Sequence, residues 1–284
     1  MKLVKQSFEI LEQTDYSLKG IKQFIERCGR VCYKSEDRIT DDSYEKFVDM
    51  LERKDHARPL EFGTVHLKMK ASNFQGFIHA LFSEEMFNSI WIKCNCEDKT
   101  MYITTNYRYY LNIIKRFPSI KNYFTEEDNK FYPKRYTVHM ILSRGIMDEF
   151  RTHVTLSHLA ESTRYCNYSK NKFNNELTFI QPNWLSDEHI IDYKERNEHH
   201  PYFAMLKREE QDYLTLINNG WTPQQAREVL PLSTKSELIS CGFKDAWANF
   251  FYRRCAKDAH PMAREITIPL QKKFKELDYI DSIE

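Results

Sequence analysis

Glycine is scarce, with 7 in a chain of 284 residues. Neither G-x-G-x-x-G nor G-x-x-x-x-G-K-[ST] occurs, so a bound nucleotide or flavin has no Rossmann turn or P-loop to receive its phosphates. A continuous apolar run of about 18 residues is also missing, which argues against a transmembrane helix. Charge of one sign is not in excess: 42 Lys+Arg against 41 Asp+Glu leave a net charge of +1. No overall field attracts nucleic acid or a membrane surface, and any anion site has to be a local cluster of Arg or Lys. The cysteines (Cys28, Cys32, Cys94, Cys96, Cys166, Cys241 and Cys255) are odd in number, and no signal peptide is read. Both features lead us to expect reduced thiols in a cytoplasm. Cys28/Cys32 and Cys94-Asn95-Cys96 lack a matching Cys or His set for zinc, so these thiols are expected to be structural or incidental.

What the chain does have is aromatic mass, 17 Tyr and 19 Phe, with 41% hydrophobic and 29% charged residues. That composition suits a globular protein with large cores or stacking platforms. Residues 1–12 alternate loosely and read as a strand. Asp15 to Tyr33 and Thr40 to Arg53 carry helical spacing, the second with Asp41 or Asp42 as cap. Thr64 to Ala71 and Tyr136 to Leu142 alternate as strands. Phe74 to Phe87 reads as a helix, Ser89 to Cys96 and Met101 to Thr105 as strands, and Asn106 to Ile114 as a helix that Thr105 can cap. Lys115 to Lys134 is charged and reads as an exposed connection or insertion. A helix is expected from about Ile146 to Tyr165, then a short strand at Glu176 to Ile180. Asn197 to Asn219 reads as a helix ended by Gly220, and Thr222-Pro223 starts the next. A strand at Ser236 to Ser240 precedes helices from Lys244 to about Lys257 and from about Pro261 to Leu277. The irregular mixture predicts one α+β domain over residues 1–284, a mixed sheet flanked by helices.

Four polar clusters stand out. His56 and Glu61 bracket Pro59, as a proton relay or a ligand clamp would; a first-turn acid at a helix start accounts for them equally. Thr104-Thr105-Asn106-Tyr107-Arg108 sits at a strand-to-helix junction, where capping is the simpler explanation. Thr152-His153-Val154 leads to Glu161-Ser162-Thr163-Arg164-Tyr165-Cys166-Asn167-Tyr168-Ser169. On a helix, His153, Ser157 and Glu161 would share one face. Finally, Arg227 and Arg254 lie among apolar residues, and guanidinium groups match phosphate through bidentate hydrogen bonds.

Taken together and in order, these clusters resemble the flavin-dependent thymidylate synthases. The resemblance rests on His56…Glu61, Thr104 to Arg108, Glu161 to Lys170, Ala226-Arg227…Val229-Leu230-Pro231, and Asn249-Phe250-Phe251…Arg254-Cys255-Ala256…Ala259-His260-Pro261…Arg264-Glu265. It implies an α+β fold and a homotetramer with active sites shared between chains, FAD lying in clefts between subunits. It also implies reductive methylation of dUMP, with FAD as cofactor and NADPH and methylenetetrahydrofolate as co-substrates. Carried over residue by residue, it gives Ser162, Arg164 and Arg227 as catalytic residues. Arg151, Glu161, Thr163 and Arg254 join them around the nucleotide. His56, Arg58, Glu61, Thr152, His153, Val154 and Asn249 fall on the flavin and folate side.

The chain departs from the family pattern at identifiable places. The Arg-His-Arg that opens the family signature reads Thr152-His153-Val154, and Arg151 sits one position early. The Gln or Glu two residues before the signature serine is Ala160. Each lost charge-assisted hydrogen bond weakens binding by roughly 1.5–3 kcal/mol. Two other functions compete with the first: one-carbon transfer to another pyrimidine nucleotide, for example a hydroxymethylation, and a non-catalytic nucleotide-binding protein on the same scaffold.

Overall fold

In a computed structural model the chain is described over residues 1–81, 89–185, 188 and 200–280. The expected helix end at Phe87 and helix start at Asn197 lie outside these. The first twelve residues form two strands, β1 (Lys2–Val4) and β2 (Ser7–Leu11). Helix α1 (Leu18–Val31) follows, capped by Ser17, whose hydroxyl accepts from the Gly20 amide at 3.1 Å. Helix α2 is Ser43–Arg53; Asp42 is its N-cap residue but its side chain makes no capping bond. Strand β3 (Thr64–Lys70), helix α3 (Ala71–Leu81), β4 (Ile90–Asn95) and β5 (Thr100–Asn106) lead into α4 (Tyr107–Arg116). Asn106, not Thr105, caps α4, accepting from the Tyr109 amide at 2.9 Å. Thr105 instead donates to the Ser89 carbonyl. In the segment expected to be an exposed connection, Ile120 and Tyr132 are buried. Its β6 (Phe124–Thr125) pairs with β3.

The second half begins with β7 (Arg135–Ser143) and α5 (Arg144–Phe150). After β8 (Ser157–Ala160) and β9 (Thr178–Ile180) come α6 (Pro201–Asn218) and the single turn α7 (Pro223–Ala226). Gly220 sits at φ +89° just past α6, the left-handed conformation a glycine tolerates best. Strand β10 (Lys235–Phe243), α8 (Lys244–Arg254) and α9 (Pro261–Glu276) complete the fold. Among the described residues there are two four-stranded antiparallel sheets, ordered β2-β7-β10-β8 and β4-β5-β3-β6, and a parallel pair, β1-β9. The α+β expectation holds.

The helix expected from Ile146 through Tyr165 ends at Phe150. Thr152, Val154 and Thr155 are β-branched and lose side-chain freedom in a helix, while residues 157–160 gain a ladder against β10. Of the expected polar stripe only Ser157 lies on β8; His153 falls in the turn before it and Glu161 just after it. β10 pairs with β7 on one side and β8 on the other. One sheet face, with Leu238, Met140 and Val138, packs on Trp247, Phe250 and Phe274 of α8 and α9. The other, with Ile239, Cys241 and Leu159, packs on Phe24 and Cys28 of α1.

Gly63 closes the turn between residues 58–62 and β3. A Cβ there would lie 2.8 Å from Ile21 and Ile25 of α1, both fully buried. Gly63→Ala is expected to destabilise the fold by about 1–3 kcal/mol through overpacking, read as a lower denaturant midpoint at an unchanged slope.

Candidate active site

The site builds around the edge strand β8, whose successive side chains go to opposite faces of the sheet. On the α1 face, Ser157 donates to Glu61 at 2.6 Å. Glu61 is buried, and it also accepts from Arg58 at 3.1 Å and Arg108 at 2.7 Å. The turn bearing Glu61 is held from β7: Arg135 donates to the Glu61 carbonyl at 2.7 Å and to the Thr64 hydroxyl at 3.2 Å. Arg58 and Arg108 remain largely exposed, so two guanidinium groups present their free edges to solvent over one buried carboxylate.

On the opposite face, Ser240 donates to His158 Nδ1 at 2.9 Å, and His158 Nε2 donates to the His153 carbonyl at 3.0 Å. His153 is buried against Phe250, and its Nε2 accepts from Arg254 Nε at 2.8 Å. Accepting there requires a neutral ring with its proton on Nδ1. Burial, followed by the Arg254 charge, pushes His153 down to about 4. Burial also holds His158 at about 4 against the opposing hydrogen bond to the His153 carbonyl, and the charges of Arg151 and Arg58 add to the lowering. Arg254 further donates to the Glu149 carboxylate, the Glu149 carbonyl and Thr152 Oγ1.

The stretch after β8 forms a tight loop. Ser162 donates its amide to the Cys32 carbonyl at 3.0 Å, and its own carbonyl accepts from the Tyr165 and Cys166 amides. The Ser162 hydroxyl accepts from the Arg164 amide at 3.3 Å. Thr163 is buried and accepts from Arg144 at 3.0 Å. Arg164 and Tyr165 point outward and are exposed. Cys166 and Tyr168 pack with Ala226, Val229 and Leu230, which brings the Arg227 segment to the back of this loop. Arg227 is half-buried and lies 3.4 Å from Glu228.

The structure thus gathers Arg58, Glu61, Thr152, His153 and Arg254 around one edge strand, although they come from segments far apart in sequence. His56 does not pair with Glu61; it lies 3.3 Å from the Tyr33 hydroxyl, and the Tyr33 ring sits 5.5 Å from that of Tyr165. Arg151 is exposed and 3.7 Å from Asp148. Val154 is 87% exposed, and Asn249 is exposed one residue before Phe250. Both carboxylate oxygens of Glu161 are taken up inside the protein, by the Tyr168 hydroxyl at 3.0 Å and by Lys235 at 2.9 Å. Sequence reasoning missed Lys235, Glu237, His139, Lys34 and Arg135. The only local signal was Lys235-Ser236-Glu237, two charges on one face of a strand that is otherwise apolar or small.

The exposed guanidinium groups of Arg58, Arg108 and Arg151 suit an anionic ligand. Arg58 is exposed above the Glu61 carboxylate, Arg151 is exposed beside Asp148, and Asn249 is exposed on α8. Thr152 and Val154 add no charge. Among the described residues no cluster of three His, Cys, Asp or Glu could hold a metal ion. No described helix is long and apolar enough to cross a membrane.

Because His153 and His158 are held below their ordinary value of 6.5, the unfolded chain binds more protons than the folded one between about pH 6.5 and 4. Their contribution to stability is present above that window and is lost as pH falls through it. The denaturant midpoint should drop across the window, and His153→Gln should flatten part of the drop.

Comparison with known proteins gives three results. No curated protein matches the chain. Solved structures of the UMP/dUMP methylase PolB from Streptomyces cacaoi are similar. The form bound with 5-Br dUMP has 14% identity and a TM-score of 0.43, covering 99% of this chain and 93% of that one. The form bound with 5-Br UMP has 13% identity and a TM-score of 0.43, covering 99% and 92%. Residues 133–278 match the family described as Thy1, thymidylate synthase complementing protein.

Proposed function

The chain belongs to the thymidylate synthase complementing protein family, and from that premise we propose that it is a flavin-dependent thymidylate synthase converting dUMP to dTMP. The observation that carries the reading is the Ser162–Tyr168 loop: its backbone is fixed from inside, and Arg164 stands exposed at its tip. The Arg227 segment packs directly behind it. A rigid loop with an outward guanidinium suits a planar anionic ligand.

In this reading FAD is the cofactor, and NAD(P)H and methylenetetrahydrofolate are co-substrates. When bound, the flavin supplies the hydride and the folate the one-carbon unit. The chain's own residues position and polarise. Arg164 favours the electron-rich form of the uracil ring, Ser162 orients the pyrimidine, and Arg227 holds phosphate. Arg58 and Asn249 hold the flavin, and Arg151 joins the nucleotide side. Neutral His153, its Nε2 already occupied by Arg254, presents its ring rather than a charge. Cys166 is buried, with its thiol pushed up to about 12 by burial and then by the Glu161 charge, so it takes no part as a nucleophile. In the same reading the active sites are completed by further copies of the chain in a homotetramer, to which Val154, Tyr165 and Tyr252 offer exposed apolar surface.

A second reading keeps the same loop and changes the product. Thr152 and Val154 stand where relatives carry arginine, and Val154 is open to solvent, so the pocket is less cationic on its flavin side. One-carbon transfer to another pyrimidine nucleotide, such as a hydroxymethylation, suits such a change.

Arg164→Ala should weaken dUMP binding about tenfold to a hundredfold and abolish dUMP-dependent turnover, with an unchanged far-UV circular dichroism spectrum. Wild-type turnover in that variant would sink the assignment. Anaerobic assays with FAD, NADPH and methylenetetrahydrofolate, run on dUMP and dCMP side by side with product masses, separate the two readings.

A further inference from the structure

Beneath the nucleotide-gripping loop lies a cluster of charges that no step above uses. Glu237, on the α1 face of β10, is buried. Its carboxylate accepts from Lys34 at 2.9 Å, from His139 Nε2 at 2.8 Å, and from Lys235. Burial alone would raise the Glu237 carboxyl, but the His139 hydrogen bond and the charges of Lys235 and Lys34 reverse this and hold it well below the usual carboxylate range. Lys235 reaches on to Glu161, whose other oxygen receives the Tyr168 hydroxyl. The Glu161 amide donates to the Glu237 carbonyl at 2.8 Å. Lys34 sits in the left-handed region at φ 48° just past α1 and also pairs with Glu36. The Lys34 carbonyl receives Lys172 at 2.9 Å.

We propose that Lys235 and Glu237 are positioning residues for the Ser162–Tyr168 loop, acting through the Glu161 carboxylate. Glu161 and Tyr168 stand at the two ends of that loop, and one hydrogen bond joins them. Lys235 fixes this joint to the central strand. Through Lys34, Glu237 fixes the chain just beyond Cys32, whose carbonyl receives the Ser162 amide. The loop is therefore clamped at both ends and under its first turn, while Arg164 faces outward. Glu161 is then an internal anchor and not a contact to the nucleotide. The part of the proposal that concerns ligand affinity rests on the dUMP reading; the clamping itself does not.

The test compares the full-length wild type with Lys235→Met, Glu161→Gln, the double variant and Lys235→Arg. dUMP affinity is measured by calorimetry, kcat and KM by assay, and amide hydrogen exchange by residue. Each single change should raise the dUMP Kd and KM by about tenfold or more, chiefly through KM. The double change should cost no more than the worse single, because the two groups form one joint. Lys235→Arg should stay within a few-fold of wild type. Amide protection should fall at Ser162, Tyr165 and Cys166 and stay unchanged in β3. Unchanged loop protection with unchanged Kd would overturn the proposal. So would protection lost evenly along the chain, which marks a general structural role. Should either single variant fail to fold, the double variant decides, because it leaves no unpaired buried charge: wild-type affinity and loop protection there overturn the proposal. A wild type that does not bind dUMP defeats the functional reading, and in that event loop exchange alone decides on positioning.

Discussion

Strand β10 has no wet side. Eight of its nine residues are buried. It pairs along its whole length with β7 and along part of it with β8, and a helical layer covers each face. A polar side chain on such a strand has to bring its own partners, because water is not there to satisfy it. Ser236 meets the Met147 sulfur, Glu237 collects Lys34, Lys235 and His139, and Ser240 meets His158. Two of these partnerships lead straight to the site. Ser240 orients the His158–His153 chain on one face, and Glu237 anchors the loop after β8 on the other. The alternation of one strand thus sets both halves of the site.

Buried ion pairs are a poor source of net stability, since desolvating the charges costs about as much as their attraction returns. Removing one partner, however, costs about 3–5 kcal/mol, because the other charge is left stranded. The cluster around Glu237 is best understood in those terms. An apolar set of the same shape would hold the sheet as well, but it would not distinguish one loop position from another a few ångströms away. The ammonium groups of Lys34 and Lys235, placed between the carboxylates of Glu36, Glu161 and Glu237, accept one arrangement. Arg135 does similar work for the other half of the site, because its guanidinium binds backbone oxygen of the Glu61 turn rather than the Glu61 carboxylate.

Long periodic elements were legible in the sequence. Tyr136 to Leu142 alternates and is β7; Thr64 to Ala71 gives β3; Asp15 to Tyr33 contains α1. Gly220 and Thr222-Pro223 marked a helix end and a helix start correctly. After Phe150 the spacing of His153, Ser157 and Glu161 by four imitates a helical face, although only Ser157 lies on a regular element. Only pairing with β10, some eighty residues on, decides for the strand. The same distance explains the charge cluster. Lys34 lies in the turn past α1, His139 on β7 and Glu237 on β10, and no local pattern joins them. Arg58, Glu61, His153 and Arg254 were reachable because a family resemblance fixes the order of its motifs even where spacing says nothing about contact.

Identical residue types in that pattern nonetheless stand in different physical states. Arg254 spends its donors on Glu149, Thr152 and His153, so binding a nucleotide with it first means breaking or sharing charge-assisted bonds. Arg164 has no such debt, being exposed over the Tyr165 ring. Arg58 and Arg108 lie between these cases, each tied by one nitrogen to Glu61 with the remainder exposed. A cation already paired contributes less to ligand affinity than an unpaired one, because the ligand must displace its partner. Thr152 accepts from Arg254 and helps retain it. The Thr152 hydroxyl thus supplies an internal acceptor for a neighbouring guanidinium, while Arg164, Arg58 and Arg151 keep exposed nitrogens.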